Sequence, residues 1–269
     1  MPAFLFLGKE QRKALSVIYA YCRILDDIID SADLPKNEKR EFLARSREEV
    51  ENIFGGKKST LEISSSLRYV VSKFGLRKQP FLLLIEGMEM DLTQTTYSNI
   101  NELEKYMYRI ASAVGLMCMP IFGFKENPAI ENYAKYTGYA LQLTNIMRDA
   151  AQDVKMGRVY FPIEDMNQAG YSIENMKNFL YSPNFVKLME IECKRVLLYH
   201  SESFKVGQLL DKRKILPAFI MVEIYQTLLE KLKKARYNVF KKKFELTTFE
   251  KMAAVCKAWR KRCLNPTRG

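Results

Sequence analysis

The feature that most constrains this chain is its apolar spacing, which recurs every three to four residues in segment after segment. It runs through 12–30, 38–54, 80–92, 101–119, 129–154, 186–210 and 215–240. Such spacing stacks apolar side chains on one side of an α-helix, whereas a half-buried strand needs strict alternation, which is scarce here. Breakers separate the segments: Pro35, Gly55-Gly56, Gly75, Gly123 and the stretch from Gly157 to Pro162. Asn127-Pro128 predicts a helix start with proline in the first turn. Thr247-Thr248-Phe249-Glu250 has the spacing of a capping box before a last helix. No low-complexity linker or repeat divides the chain. The expected fold class is therefore all-α, a single domain over 1–269 with about ten helices.

Composition removes several kinds of chemistry. At 48% hydrophobic the 269 residues can bury a large core. No apolar run reaches the roughly 18–20 residues that span a bilayer. The opening MPAFLFLGKEQRK lacks a small-residue cleavage site and is not expected to be a signal peptide. Five scattered cysteines (Cys22, Cys118, Cys193, Cys256, Cys263) form no CxxC and read as reduced, cytosolic thiols. The single histidine, His200, leaves little room for a triad or a multi-histidine metal site, and is expected to be a surface or partly buried imidazole on a late helix. A net charge of +12 points to an anionic partner: nucleic acid, a lipid surface or phosphorylated substrates. No nucleic-acid motif accompanies the clusters 231-KLKKAR-236, 241-KKK-243 and 257-KAWRKR-262, which read as solvated faces.

Two acidic stripes stand out from the helical background. In 19-YAYCRILDDIID-30, Asp26 and Asp30 are i, i+4 neighbours on one face, with Arg23 and Tyr19 above them and Asp27 beside. In 142-QLTNIMRDAAQDVKMGRVYFP-162, Gln142, Asn145, Asp149 and Asp153 are spaced three, four and four, again one face, with Arg148 alongside. Acids at i, i+4 repel, costing a helix a few tenths of a kcal/mol. Two such stripes in otherwise apolar segments need a reason. Magnesium supplies one, because it takes hard oxygen ligands and is typically held by one or two carboxylates plus substrate phosphates. Nearby arginines would take phosphate oxygens directly.

These stretches resemble the two signatures of the squalene and phytoene synthase family. The intervening 87-GMEMDL-92 and 106-YMYRIASAVGLMCMPIFG-123, and the later 225-YQTLLEKLKKARYNVFKKKFELT-247, are similar to it in pattern. The resemblance implies an all-α isoprenoid synthase fold around a deep apolar cavity. It implies head-to-head joining of two prenyl diphosphates through a cyclopropylcarbinyl diphosphate to squalene, a relative of squalene, or phytoene. Carried over, Asp26, Asp30, Asn145, Asp149 and Asp153 become ligands of magnesium, with manganese able to substitute. Arg23, Asp27, Arg148 and Arg158 serve the diphosphates. Tyr19, Tyr106 and Tyr225 stand where the family places cavity tyrosines, and Gln142 where it places a polar cavity residue. Val114 and Gly115 allow close approach of a prenyl chain, although a tightly packed helix pair explains the glycine equally well.

The chain departs from the family pattern in places. Gln152 stands where an acid usually precedes the last aspartate; lysine within Lys241–Lys243 replaces an arginine; the Ser-Phe pair that commonly precedes AFLFL is absent. The first signature, DDIID, favours farnesyl over geranylgeranyl diphosphate as substrate. NADPH use stays open, since no GxGxxG loop is present but reducing relatives lack one too. Expected partners are prenyl diphosphates and, peripherally, the inner face of a membrane that receives the product, from a cytoplasmic location; oligomeric state is open. A prenyl elongase would show a second DDxxD, and a terpene cyclase an Asn/Ser/Glu triad; NxxRDxxxD fits neither. A non-catalytic basic protein binding anionic lipid or nucleic acid would have no use for intact acid stripes.

Overall fold

The computed structural model describes residues 6–58 and 62–264, with side chains through Lys261. The first five residues of the apolar opening and the Cys263 side chain lie outside that description. Among the described residues there are no strands. The helices are α1 (Lys9–Asp30), α2 (Lys36–Phe54), α3 (Ser64–Phe74), α4 (Gln79–Thr93), α5 (Ile100–Met107), α6 (Ala113–Ile121), α7 (Pro128–Lys155), α8 (Ile163–Ala169), α9 (Ile173–Lys177), α10 (Pro183–Gly207), α11 (Leu216–Lys234) and α12 (Thr248–Leu264). None is long and apolar enough to cross a membrane.

Helix α7 organises the rest. Asn127 caps it by accepting from the Ile130 amide at 3.0 Å, and Pro128 occupies the first turn, where its missing N–H costs nothing. Its buried positions, among them Ile130, Tyr133, Ala134, Ala140, Leu143 and Met147, lean on α6, α10 and α11. Two apolar cores result. One gathers α1 to α4 and α6 around Ile18, Leu25, Phe81 and Leu84; the other gathers α7 to α11 around Leu143, Met147, Phe185 and Leu188. Tyr108 and Ile110 pack against both. Burying each such aliphatic or aromatic side chain stabilises the fold by about 1.5–3 kcal/mol before conformational entropy is set against it.

The expected helix over 101–119 is not continuous. Tyr108–Ser112 form a π turn between α5 and α6, where Ser112 is fully buried and donates to the Lys135 carbonyl at 3.0 Å. Gly138 of α7 faces this turn so closely that a Cβ there would lie 2.5 Å from both the amide nitrogen and the Oγ of Ser112. The glycine thus lets α7 reach the residues that present Tyr106 and Ile110. The expected helix over 215–240 also ends early, at Lys234, because Arg236 and Tyr237 adopt φ of 50° and 58° and turn the chain. The segment read over 186–210 starts at Pro183, behind a Ser182 cap, and ends at Gly207. The capping box forms as expected: Thr247 Oγ1 accepts from the Glu250 amide at 3.2 Å, and Glu250 Oε2 accepts from the Thr247 amide at 2.7 Å. His200 lies on α10 as expected but is buried, not at the surface or half-covered, because α10 turns it inward, and neither ring nitrogen is hydrogen-bonded.

Candidate active site

The acidic faces of α1 and α7 line one cavity of about 520 Å³. From α1 come Arg23, Asp26, Asp27 and Asp30; from α7, Gln142, Asn145, Arg148, Asp149, Gln152 and Asp153. Helix α4 adds Met88 and Asp91, α5 adds Tyr106, and the turn after α7 adds Arg158 and Tyr160. Ile110 and Ile146 supply apolar wall, and Lys243 reaches in from the segment before α12.

That turn is built by backbone chemistry. Gly157 takes φ of +79°, open to glycine at no steric cost, and the Arg158 and Val159 amides donate to the Asp153 and Thr95 carbonyls at 2.9 and 2.8 Å. The chain is thereby reversed over the acids. Arg158, only 8% exposed, donates from Nη1 to Asp30 Oδ1 at 2.7 Å, tying the α7 turn to the end of α1. Arg23 spans Asp26 at 3.2 Å and Asp27 at 2.8 Å. Arg148 grips its neighbour Asp149 through both Nε, at 2.8 Å, and Nη2. Each cation therefore neutralises an acid stripe while keeping further N–H groups for another anion.

Burial and mutual repulsion act on the acids. Burial, then the charge of Asp149, pushes the Asp153 carboxyl up to about 8, against the pull of Arg158. Burial and then Asp30 raise Asp26. Burial lifts Asp91 to about 6, although Arg158 and two tyrosine hydroxyls favour its ionised form. Tyr160 donates to Asp91 Oδ1 at 2.6 Å and Tyr106 to Oδ2 at 3.1 Å, with their rings stacked at 5.0 Å.

The donor set suits a hard divalent cation. It consists of carboxylate oxygens on two facing helices, with Asn145 Oδ1 among them buried and unpartnered. An oxygen left in that state costs about 1–3 kcal/mol, which a cation would recover. Among the described residues no three acidic, histidine or cysteine side chains form a cage by themselves.

The sequence-derived residues do not all meet here. Tyr19 is 55% exposed, and it, Tyr225, Val114 and Gly115 are not among the cavity-lining residues. Tyr225 lies half-buried on α11, and Val114 packs with the first core. A Cβ at Gly115 would stand 3.3 Å from Ala134 Cβ, so the close packing of α6 on α7 accounts for this glycine. Conversely, the cavity takes in Asp91 and Tyr160, which no motif in the sequence marks. Their signals were an acid closing the apolar segment 80-PFLLLIEGMEMDL-92 and an aromatic inside GRVYFP.

Fold and cavity together define an all-helical protein with an acid- and arginine-lined polar chamber. The family model of squalene/phytoene synthase matches residues 2–250, and the chain belongs to that family. It is 30% identical over 267 residues to the chloroplastic phytoene synthase of Narcissus pseudonarcissus, covering 97% of this chain and 63% of that protein. It thus spans less than two thirds of the length of that relative. The crystal structure of a dehydrosqualene synthase in complex with ligand is 28% identical and superposes with a TM-score of 0.88, over 98% of this chain and 91% of that one. Squalene synthase HpnC from Alicyclobacillus acidocaldarius, 24% identical, shares the fold with a TM-score of 0.80 over 88% of each chain.

Proposed function

We propose that the chain joins two prenyl diphosphates head to head: two farnesyl diphosphates, through presqualene diphosphate, to a C30 product of the squalene type, with release of diphosphate. The observation that carries this reading is the convergence of both acid stripes and three arginines on one cavity that also has an apolar wall. Such a chamber fits a molecule with a polyanionic head and an apolar tail. The name phytoene synthase on the curated relatives supports a second reading, in which two geranylgeranyl diphosphates give phytoene.

Asp26, Asp30, Asn145, Asp149 and Asp153 would hold magnesium, which neutralises charge on a departing diphosphate. Arg23, Arg148 and Arg158 offer their remaining N–H groups to the phosphate oxygens, and their carboxylate partners hold them in place beforehand. Asp27 steadies Arg23, and Gln142 accepts from Asn145 Nδ2 at 3.4 Å, which holds the amide while its oxygen stays unpartnered. Tyr106 and Tyr160, fixed by Asp91, turn aromatic surface to the chamber, where an allylic cation gains stabilisation. Met88, Ile110 and Ile146 keep water from that cation. A second ionisation in the same chamber completes the reaction. Tyr225 and Val114 enter this reading only as contacts of the prenyl tails beyond the polar chamber; Tyr19, exposed, and Gly115, packed against Ala134, take no part in it. The apolar product would pass to a membrane at the cytoplasmic face, and NADPH enters only where the product is fully reduced.

The test is diphosphate release by Asp26→Ala and Asp149→Ala with far-ultraviolet circular dichroism as the fold control. Both are expected to lose turnover and keep their helicity. Full activity in either variant would overturn the site assignment.

A further inference from the structure

Helix α12 rests on the protein by one side. Val255 and Ala258 are buried against Leu216 and Ile220 of α11, and Lys257 and Lys261 reach the buried Glu223, with Lys257 Nζ at 3.4 Å. Those contacts fix how the helix is rolled. The roll turns another stripe outward: Phe249 is 82% exposed, Met252 42% and Trp259 52%, with Cys256 exposed between them. Positions 249, 252, 256 and 259 step by three, four and three, an arc of about 80° on a helix. The outer face of a surface helix ordinarily carries charge, and this aromatic and methionine stripe has no partner among the described residues.

The surroundings of the stripe are cationic. Arg260 lies beside the stripe on α12, Lys233 and Lys234 close α11, and Lys241 and Lys242 are on the segment that leads from α11 into α12. The one acid of the helix, Glu250, is held by Lys231 at 2.8 Å. We propose that this stripe is the surface by which the chain lies on a membrane rich in anionic phospholipid, its aromatic and methionine side chains in the headgroup boundary and the lysines over the lipid phosphates. Charge complementarity selects the occupant. A second copy would bring a chain of net charge +12 against its equal, and a nucleic acid would have no use for the apolar stripe. The inference is independent of the proposed catalysis, and its test needs no substrate.

Trp259 is the only tryptophan, so emission excited at the red edge, beyond the absorption of the tyrosines, reports on this face alone. The whole chain would be titrated with phosphatidylcholine vesicles and with equimolar phosphatidylcholine–phosphatidylglycerol vesicles. With the anionic vesicles the emission is expected to move to shorter wavelength and to be quenched by lipids brominated on the acyl chains. The response should be screened by about 0.5 M salt. Phe249→Ser combined with Met252→Ser should weaken binding about tenfold or more, at an unchanged melting temperature, since both side chains are exposed. Binding without any change at Trp259 would place the contact elsewhere. A blue shift that grows with protein concentration in the absence of lipid would assign the stripe to a second copy. Either result, or no binding to anionic vesicles, overturns the proposal.

Discussion

Replacing Gly138 by alanine tests how the fold builds its chamber. Alanine would raise the helix propensity of α7 by about 0.8–1 kcal/mol. Against this, the new Cβ would lie 2.5 Å from the backbone nitrogen of Ser112, about 1 Å inside ordinary contact. Backbone cannot swing aside as a flexible side chain can, so α7 and the π turn must separate. Overpacking of this kind costs about 1–3 kcal/mol and here meets a rigid partner. We expect a net loss of about 2 kcal/mol, and hence a melting temperature lower by about 4–8 °C by scanning calorimetry. Turnover should fall as well, because the displaced turn carries Ile110 and follows Tyr106. Gly115→Ala is the control: its Cβ would meet Ala134, at 3.3 Å from Cβ and at an ordinary 3.6 Å from the backbone Cα and O, so the neighbour need give by only a few tenths of an ångström. It should shift the melting temperature far less. A Gly138→Ala protein as stable and active as the parent would refute the close approach of α7 to the π turn.

Further expectations concern individual groups. His200 is held near 4 by burial, against a value of about 6.5 when unfolded, so the unfolded chain binds a proton there that the folded chain refuses. Stability should therefore fall by up to about 1.4 kcal/mol per pH unit as pH drops from about 6.5 toward 4, and His200→Phe should remove that slope in urea titrations. Asp91→Ala removes the acceptor shared by Tyr160 and Tyr106, leaving only the bond from Tyr106 to the Tyr160 hydroxyl at 3.2 Å, and should cost about 1–3 kcal/mol in thermal unfolding, whereas Asp91→Asn keeps an acceptor and should cost less. Asp153 keeps its proton up to about 8, so its folded form is favoured at low pH and loses that advantage as pH rises from about 4 through 8. A cation must displace the proton, so calorimetry should show magnesium–diphosphate affinity rising between pH 6 and 8, with proton release. Asp153→Asn should flatten that rise, and equal pH dependence in parent and variant would contradict the assignment.

Much of this was legible in the sequence, for reasons that also mark the limits. Long helices such as α1 and α7 carry several turns of apolar spacing, and their acid stripes obey the same three-and-four rule, so stripe and face could be read together. Helices α8 and α9 span seven and five residues, too short for a period to repeat. The π turn leaves no mark on composition, and the end of α11 falls in lysine-rich, helix-favouring sequence where Arg236 and Tyr237, not a glycine, take the left-handed turn. In the site, Asp91 was a lone acid without a spacing partner; its meaning comes from Tyr106 and Tyr160, brought to it across 15 and 69 residues. The grip of Arg158 on Asp30 is likewise tertiary, joining residues 128 apart.

The most direct measurement of the proposed chemistry is product analysis. Purified protein with magnesium would be offered farnesyl or geranylgeranyl diphosphate separately, with and without NADPH, and the extracts identified by mass spectrometry. The expected result is a C30 hydrocarbon, alcohol or cyclopropylcarbinyl diphosphate from the farnesyl substrate, accompanied by diphosphate; a C40 product from geranylgeranyl diphosphate alone would shift the reading to phytoene synthesis. No condensation product from either substrate, with protein shown to be folded, would contradict head-to-head coupling by this chain.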